Sequence, residues 1–165
     1  MRRPLMLIVP IAAVAVVSLA LTQQSTAATP TPPITGPAAG APPVIAARQA
    51  GFKLSLASFV ALKAAIARGD DVKTLVLPAS AIAGWGKAIP AMFPPNSAGP
   101  TSEALPNVWS DRAGFEAAAT AMSDAATSLA MLAKAGDTAG VAAQFGELGK
   151  TCGGCHTKYR EEEKK

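Results

Sequence analysis

The chain is predicted to be all-α, an antiparallel bundle of four helices. Three observations carry the prediction. Apolar residues recur at steps of three and four over four separate stretches, no stretch alternates apolar and polar residues as a half-buried strand would, and most connections are short. No internal repeat of solenoid length is present.

The first 28 residues of the 165 read as a secretory signal peptide. Met1-Arg2-Arg3 is a short basic head, residues 5–21 are almost unbroken in their apolar character, and Thr22-Gln23-Gln24 leads to the small residues Ser25-Thr26-Ala27-Ala28. Cleavage is predicted after Ala27 or Ala28. An uncleaved membrane anchor is the alternative, because the run is long for a leader and short for a full span. Residues 29–43 are rich in Pro, Ala, Gly and Thr and carry no charge, which describes a flexible lead-in. Residues 44–165 form the predicted domain, with order beginning near Pro42-Pro43, since proline suits a first helical turn.

In the first helix, Arg48, Phe52, Leu56, Phe59, Lys63 and Ile66 form one stripe. Arg68-Gly69-Asp70-Asp71 ends it and caps the second helix, predicted over 72–89. Pro78 lies inside that second helix, and Gly84 and Gly86 flank Trp85, so a kink or a shortened helix is expected near Pro78. Residues 90–106, with Phe93-Pro94-Pro95 and Leu105-Pro106, read as a long loop of the functional or flap-like kind. The third helix carries Phe115, Met122 and Leu129 with Ala118, Ala125 and Leu132 beside them, and stops at Gly136. Asp137 caps the fourth, where Val141, Phe145, Leu148, Cys152, Cys155 and Tyr159 form a seam.

On that seam lies the chain's chemical signature, Cys152-Gly153-Gly154-Cys155-His156. C-x-x-C-H is the attachment signal for c-type haem: the two sulfurs form thioethers with the porphyrin and the adjacent imidazole ligates iron. On a helix the three side chains stand at i, i+3 and i+4, on one face within one turn. A dithiol redox pair or half of a zinc site is the competing use of C-x-x-C. Zinc would need further ligands, yet these are the only cysteines and His156 is the only histidine. Redox dithiols sit beside a βαβ pattern, and none is present. The expected cofactor is one covalent haem c, with its iron on His156.

Loss of Arg2 and Arg3 with the leader takes the net charge from +4 to +2. No Lys or Arg cluster interleaves with aromatic residues, so nucleic acid is not an expected partner. Export fits the attachment motif, since c-type haem is attached outside the bacterial cytoplasm. A periplasmic location and no stable membrane insertion after cleavage are the expectations. Whether two bundles pair as a homodimer stays open.

Several separated motifs resemble the cytochromes c′. Cys152-Gly-Gly-Cys155-His156-Thr-Lys-Tyr159-Arg160 stands at the C-terminal end, as in that family and unlike ordinary cytochromes c. Arg48-Gln49-Ala-Gly-Phe52-Lys53, Met92-Phe93-Pro94, and Leu105-Pro106-Asn107-Val108-Trp109 leading to Asp111 and Phe115 agree in order, so the resemblance spans about 44–160. Cytochromes c′ are themselves type examples of up-down-up-down four-helix bundles, so that topology is what the resemblance implies. It also implies roles. Arg48 and Gln49 would contact the haem edge, Arg48 pairing a propionate; Arg160 would lie beside the proximal imidazole; Glu103 would stand where the loop reaches the haem.

The resemblance places the residue four after Arg48, here Phe52, over the distal face. Low-spin relatives carry a ligating methionine there, and phenylalanine has no donor atom. The implied haem is five-coordinate, with His156 as its one protein ligand and an apolar, crowded distal pocket. Without a distal hydrogen-bond donor, bound dioxygen gains no stabilisation, whereas nitric oxide and carbon monoxide need less. The expected function is that of a non-enzymatic haem protein binding a diatomic gas, or passing single electrons to a periplasmic redox partner. A six-coordinate electron-transfer cytochrome, ligated by Met92 or Met122, is the alternative.

Overall fold

The computed structural model describes residues 43–161. The predicted leader and most of the lead-in lie outside them. The described chain runs α1 (Pro43–Arg68), α2 (Val76–Ala88), a one-turn α3 (Asn107–Ser110), α4 (Arg112–Ala135) and α5 (Thr138–Tyr159), and no strand is present among the described residues. The four long helices form the predicted bundle.

α1 starts at Pro43, whose missing N–H costs nothing in a first turn. It ends where Gly69 turns left-handed at φ 73°, its N–H donating to Ile66 O and that of Asp70 to Ala65 O. α4 ends the same way: Gly136 is at φ 79°, and the N–H groups of Gly136 and Asp137 reach Ala133 O and Leu132 O. Each stop is a Schellman closure that only glycine adopts without strain. An aspartate one or two residues past each glycine starts the next element. Asp71 accepts from Lys73 N, and Asp137 from Gly140 N, as N-caps do.

The second predicted helix is a 3-10 turn (Val72–Leu75), then α2, then a second 3-10 turn (Ile89–Met92). α2 is shortened to 13 residues rather than kinked. Pro78 falls in its first turn, where backbone N–H groups have no intrahelical acceptor to lose. Of the glycines around Trp85, Gly86 serves the packing of α2 on α4. A Cβ on Gly86 would stand 2.9 Å from Ser123 N, so the two helices meet backbone to backbone there. Ser123, buried in that contact, donates its hydroxyl to Ala83 O.

α4 packs against α2 and α5, and α1 against α2, while α1 and α5 meet only briefly. One core cluster gathers Leu62, Ile82, Leu129, Val141 and Leu148, each such side chain stabilising the fold by about 1.5–3 kcal/mol on burial. A second holds Ile89, Phe93, Val108, Phe115 and Tyr159, and Met122 borders both. The predicted seams of the last two helices agree with this packing. α1 agrees only in part, with Arg48 of its stripe buried and Phe52, Phe59 and Ile66 packed against the two clusters. Its buried residues are Ile45, Arg48, Leu62 and Ala65, while Leu56 is 62% exposed. The middle of α1 faces the opening towards α5 rather than the core. α1 is long and apolar enough to cross a membrane by composition, with mean hydropathy 1.5, but here it is a bundle helix anchored by buried Arg48.

Candidate functional site

Between α1 and α5 lies a cavity of about 740 Å³, in the range of small-molecule and cofactor sites. α5 supplies one wall. Cys152, Cys155 and His156 all line it, because their spacing places them on one side of a single turn. Gly153 and Gly154 point away and are exposed. Burial pushes both cysteine thiols above their usual range, and Cys155 is raised further by Cys152 beside it. Among the described residues no group of three or more His, Cys, Asp or Glu side chains converges on a metal-sized site, so the zinc alternative finds no ligand set.

The facing wall comes from α1, with Gln49, Phe52, Lys53, Leu56 and Phe59. Phe52, Leu56 and Phe59 of the predicted stripe thus line the cavity, Phe52 and Phe59 while also bordering the core. Ala118, Ala119, Met122 and Ile82 make its floor, and the two alanines leave room for a flat group. Met92, by contrast, is not on the cavity wall and packs in the second core cluster.

The predicted loop closes one end of the cavity as a strap between α1 and α5. Arg48, 2% exposed, holds its centre. Its Nη1 donates to Ser97 Oγ (3.0 Å) and Met92 O (3.4 Å), and its Nη2 to Ser97 O (2.9 Å) and Ser102 Oγ (2.6 Å). The guanidinium also lies 4.2 Å from the Phe93 ring centre. Burial lowers its pKa, yet guanidinium stays charged. Gln49 Nε2 donates to Thr101 O at 2.7 Å. At the other side Leu105 N donates to Tyr159 O (3.0 Å) and Glu161 N to Glu103 O (2.8 Å). Sequence reasoning gave Arg48 and Gln49 to the haem edge alone; the structure also makes them the latch of the strap. Glu103 and Arg160 both line the cavity, Glu103 exposed and Arg160 in extended backbone just past α5.

Sequence reasoning missed a second tie. Asp111 caps α4 by accepting from Gly114 N, and its carboxylate also takes the Tyr159 hydroxyl (2.8 Å) and Lys158 Nζ (2.6 Å). An aspartate just before an apolar helical run is a legible cap; its long-range partners are not. The Lys158 ammonium and the Tyr159 hydroxyl hold the Asp111 carboxyl below the usual carboxylate range, and Asp111 raises Lys158. A carboxyl whose folded pKa is depressed contributes stability at neutral pH and loses it as pH falls through the folded value. Asp111→Asn should therefore lower the urea midpoint at neutral pH and flatten its decline in acid. An acid limb identical to that of the unsubstituted protein would show that this carboxylate is not the coupled group.

Two sulfurs and an imidazole on one wall, a largely apolar wall opposite, Lys53 at the rim and the buried Arg48 guanidinium behind the strap fit haem: covalent anchors, a ligand for the iron, room for the ring, and positive charge for its propionates. A covalently haem-binding four-helix bundle is the class that this fold and cavity define.

Comparison with known proteins narrows the class. The family model for cytochrome c′ matches residues 43–160, and this chain belongs to that family. A cytochrome c′ of Pararhodospirillum photometricum is 45% identical over 84 residues, covering 50% of this chain and 67% of the relative. That of Rubrivivax gelatinosus is 37% identical over 118 residues, 69% of this chain and 91% of the relative. Among solved structures, a nitric oxide complex of a variant cytochrome c prime from Alcaligenes xylosoxidans superposes with a TM-score of 0.67 at 26% identity. It covers 73% of this chain and 94% of that one. As a member of the cytochrome c′ family, this chain takes one covalent haem c as its cofactor.

Proposed function

We propose that this chain is a periplasmic haem protein that binds a small neutral gas, nitric oxide foremost, at a haem with His156 as its one protein ligand. The observation that carries the reading is Phe52 on the α1 wall of the cavity that Cys152, Cys155 and His156 also line. Haem c supplies, when bound, an iron with an axial position open to a diatomic ligand and able to take up one electron. Cys152 and Cys155 anchor it, and His156 is held on the same helical turn. Phe52 occupies the distal side without a donor atom, so it excludes water and crowds whatever enters. Arg48 and Gln49 keep the strap over the haem edge, where Arg48 balances propionate charge and Glu103 sets the strap's approach, while Arg160 lies one turn past His156 beside the proximal imidazole. The solved relatives from Alcaligenes xylosoxidans include nitric oxide and carbon monoxide complexes, which supports the ligand class. The leader predicted over 1–28 supports export.

Met122 on the cavity floor favours a second reading, a six-coordinate electron carrier with methionine as the other axial ligand. Absorption spectra separate the two. The five-coordinate reading expects a high-spin ferric form and a ferrous form whose spectrum shifts on adding carbon monoxide. A low-spin ferric spectrum with no carbon monoxide response would move the assignment to Met122.

A further inference from the structure

We propose that Trp85, which does not line the cavity, is the positioning residue that holds Phe52 in place, and that its seat on Gly51 sets how fast a diatomic ligand enters. The proposal rests on the distal placement of Phe52 given above. The Phe52 ring is wedged between two others: Trp85, edge-on at 5.2 Å and 88°, and Phe93 at 6.3 Å and 61°.

The two neighbours are not equally fixed. Phe93 is 5% exposed and is gripped by the Arg48 guanidinium at 4.2 Å, Phe115 at 5.0 Å and Trp109 at 6.3 Å. Trp109 is itself pinned, its indole N–H donating to Pro94 O at 2.9 Å. The indole N–H of Trp85 is buried and has no acceptor among the described residues. No directional bond holds this ring; shape alone does. A Cβ on Gly51 would overlap Cη2, Cζ3 and Cζ2 of Trp85, so the six-membered ring lies directly on the α1 backbone at the residue before Phe52. Only glycine leaves that notch.

When a ligand pushes Phe52 aside, the side that yields is therefore Trp85. It can shift without breaking a hydrogen bond, whereas movement of Phe93 disturbs the grip of Arg48 and hence the strap. The Gly51–Trp85 contact acts as a spring behind the distal ring.

The test is a double-substitution cycle on ferrous holoprotein, reading carbon monoxide association after flash photolysis. Trp85→Leu should speed association by roughly tenfold, as a barrier lowered by about 1.4 kcal/mol does. The same change in a Phe52→Ala background should leave the rate unaltered, because no ring is left to release. Trp85→Phe keeps a ring in the notch and should hold the rate near its starting value. Gly51→Ala, which evicts the indole without deleting it, should reproduce the acceleration and serves if Trp85→Leu does not fold. Equal acceleration with and without Phe52 would overturn the proposal, since Trp85 would then only loosen the bundle. So would unchanged rates in both Trp85→Leu and Gly51→Ala. An unsubstituted protein that binds no carbon monoxide is a separate failure, that of the gas-binding reading itself.

Discussion

Replacing both Cys152 and Cys155 with Ala should yield a chain that carries no haem through a denaturing gel, where thioether-bound haem survives. Both sulfurs line the same cavity. They are the only cysteines in the sequence, so no other residue can form the bonds. A single Cys→Ala should leave one thioether or cost the haem during maturation. His156→Ala should keep the thioethers and lose the axial imidazole, which the absorption spectrum reads directly. Normal holoprotein recovered from the Cys152→Ala, Cys155→Ala double variant would sink the haem c assignment.

Phe52→Met should shift the ferric protein towards low spin and slow carbon monoxide binding, because the incoming ligand must displace a thioether sulfur. Phe52→Ala should do the opposite, opening the pocket and speeding entry. Its packing cost should fall below the roughly 3–5 kcal/mol of a fully buried phenylalanine, since this ring is only partly buried and one side of it lines the cavity. Spin state and association rate unchanged in both variants would reduce Phe52 to a packing residue. The gas-binding reading would go with it.

What was legible in the sequence was local. Helix boundaries followed from residues that act on their own backbone: Pro43 at a first turn, the left-handed Gly69 and Gly136, and the caps Asp71 and Asp137. The attachment site was legible for the same reason, since one helical turn brings Cys152, Cys155 and His156 together whatever the rest of the chain does. The seam of α5 pointed the right way because it repeats cleanly at three and four. On α1 the same rule held only in part: Phe52 and Phe59 border the core but also face the cavity with Leu56, while the residues buried most fully include Ile45, Leu62 and Ala65, off that stripe. Periodicity says that a face is apolar, not whether side chains or a cofactor will cover it.

By itself, then, the sequence determined the ends of α1 and α4, the start of α5, and the gathering of Cys152, Cys155 and His156 on one turn, since each depends on neighbours within a turn or two. Only the tertiary structure decided where Arg48 spends its hydrogen bonds, 49 and 54 residues away at Ser97 and Ser102. The same holds for Asp111, which ties α4 to α5 through Tyr159, 48 residues on, and for Trp85, which backs Phe52 across the α1–α2 contact. These partners are far apart in the chain and share no spacing rule. Their meeting depends on how helices cross, and at Gly51 and Gly86 that crossing is set by the absence of a side chain, which leaves no periodic signal to read.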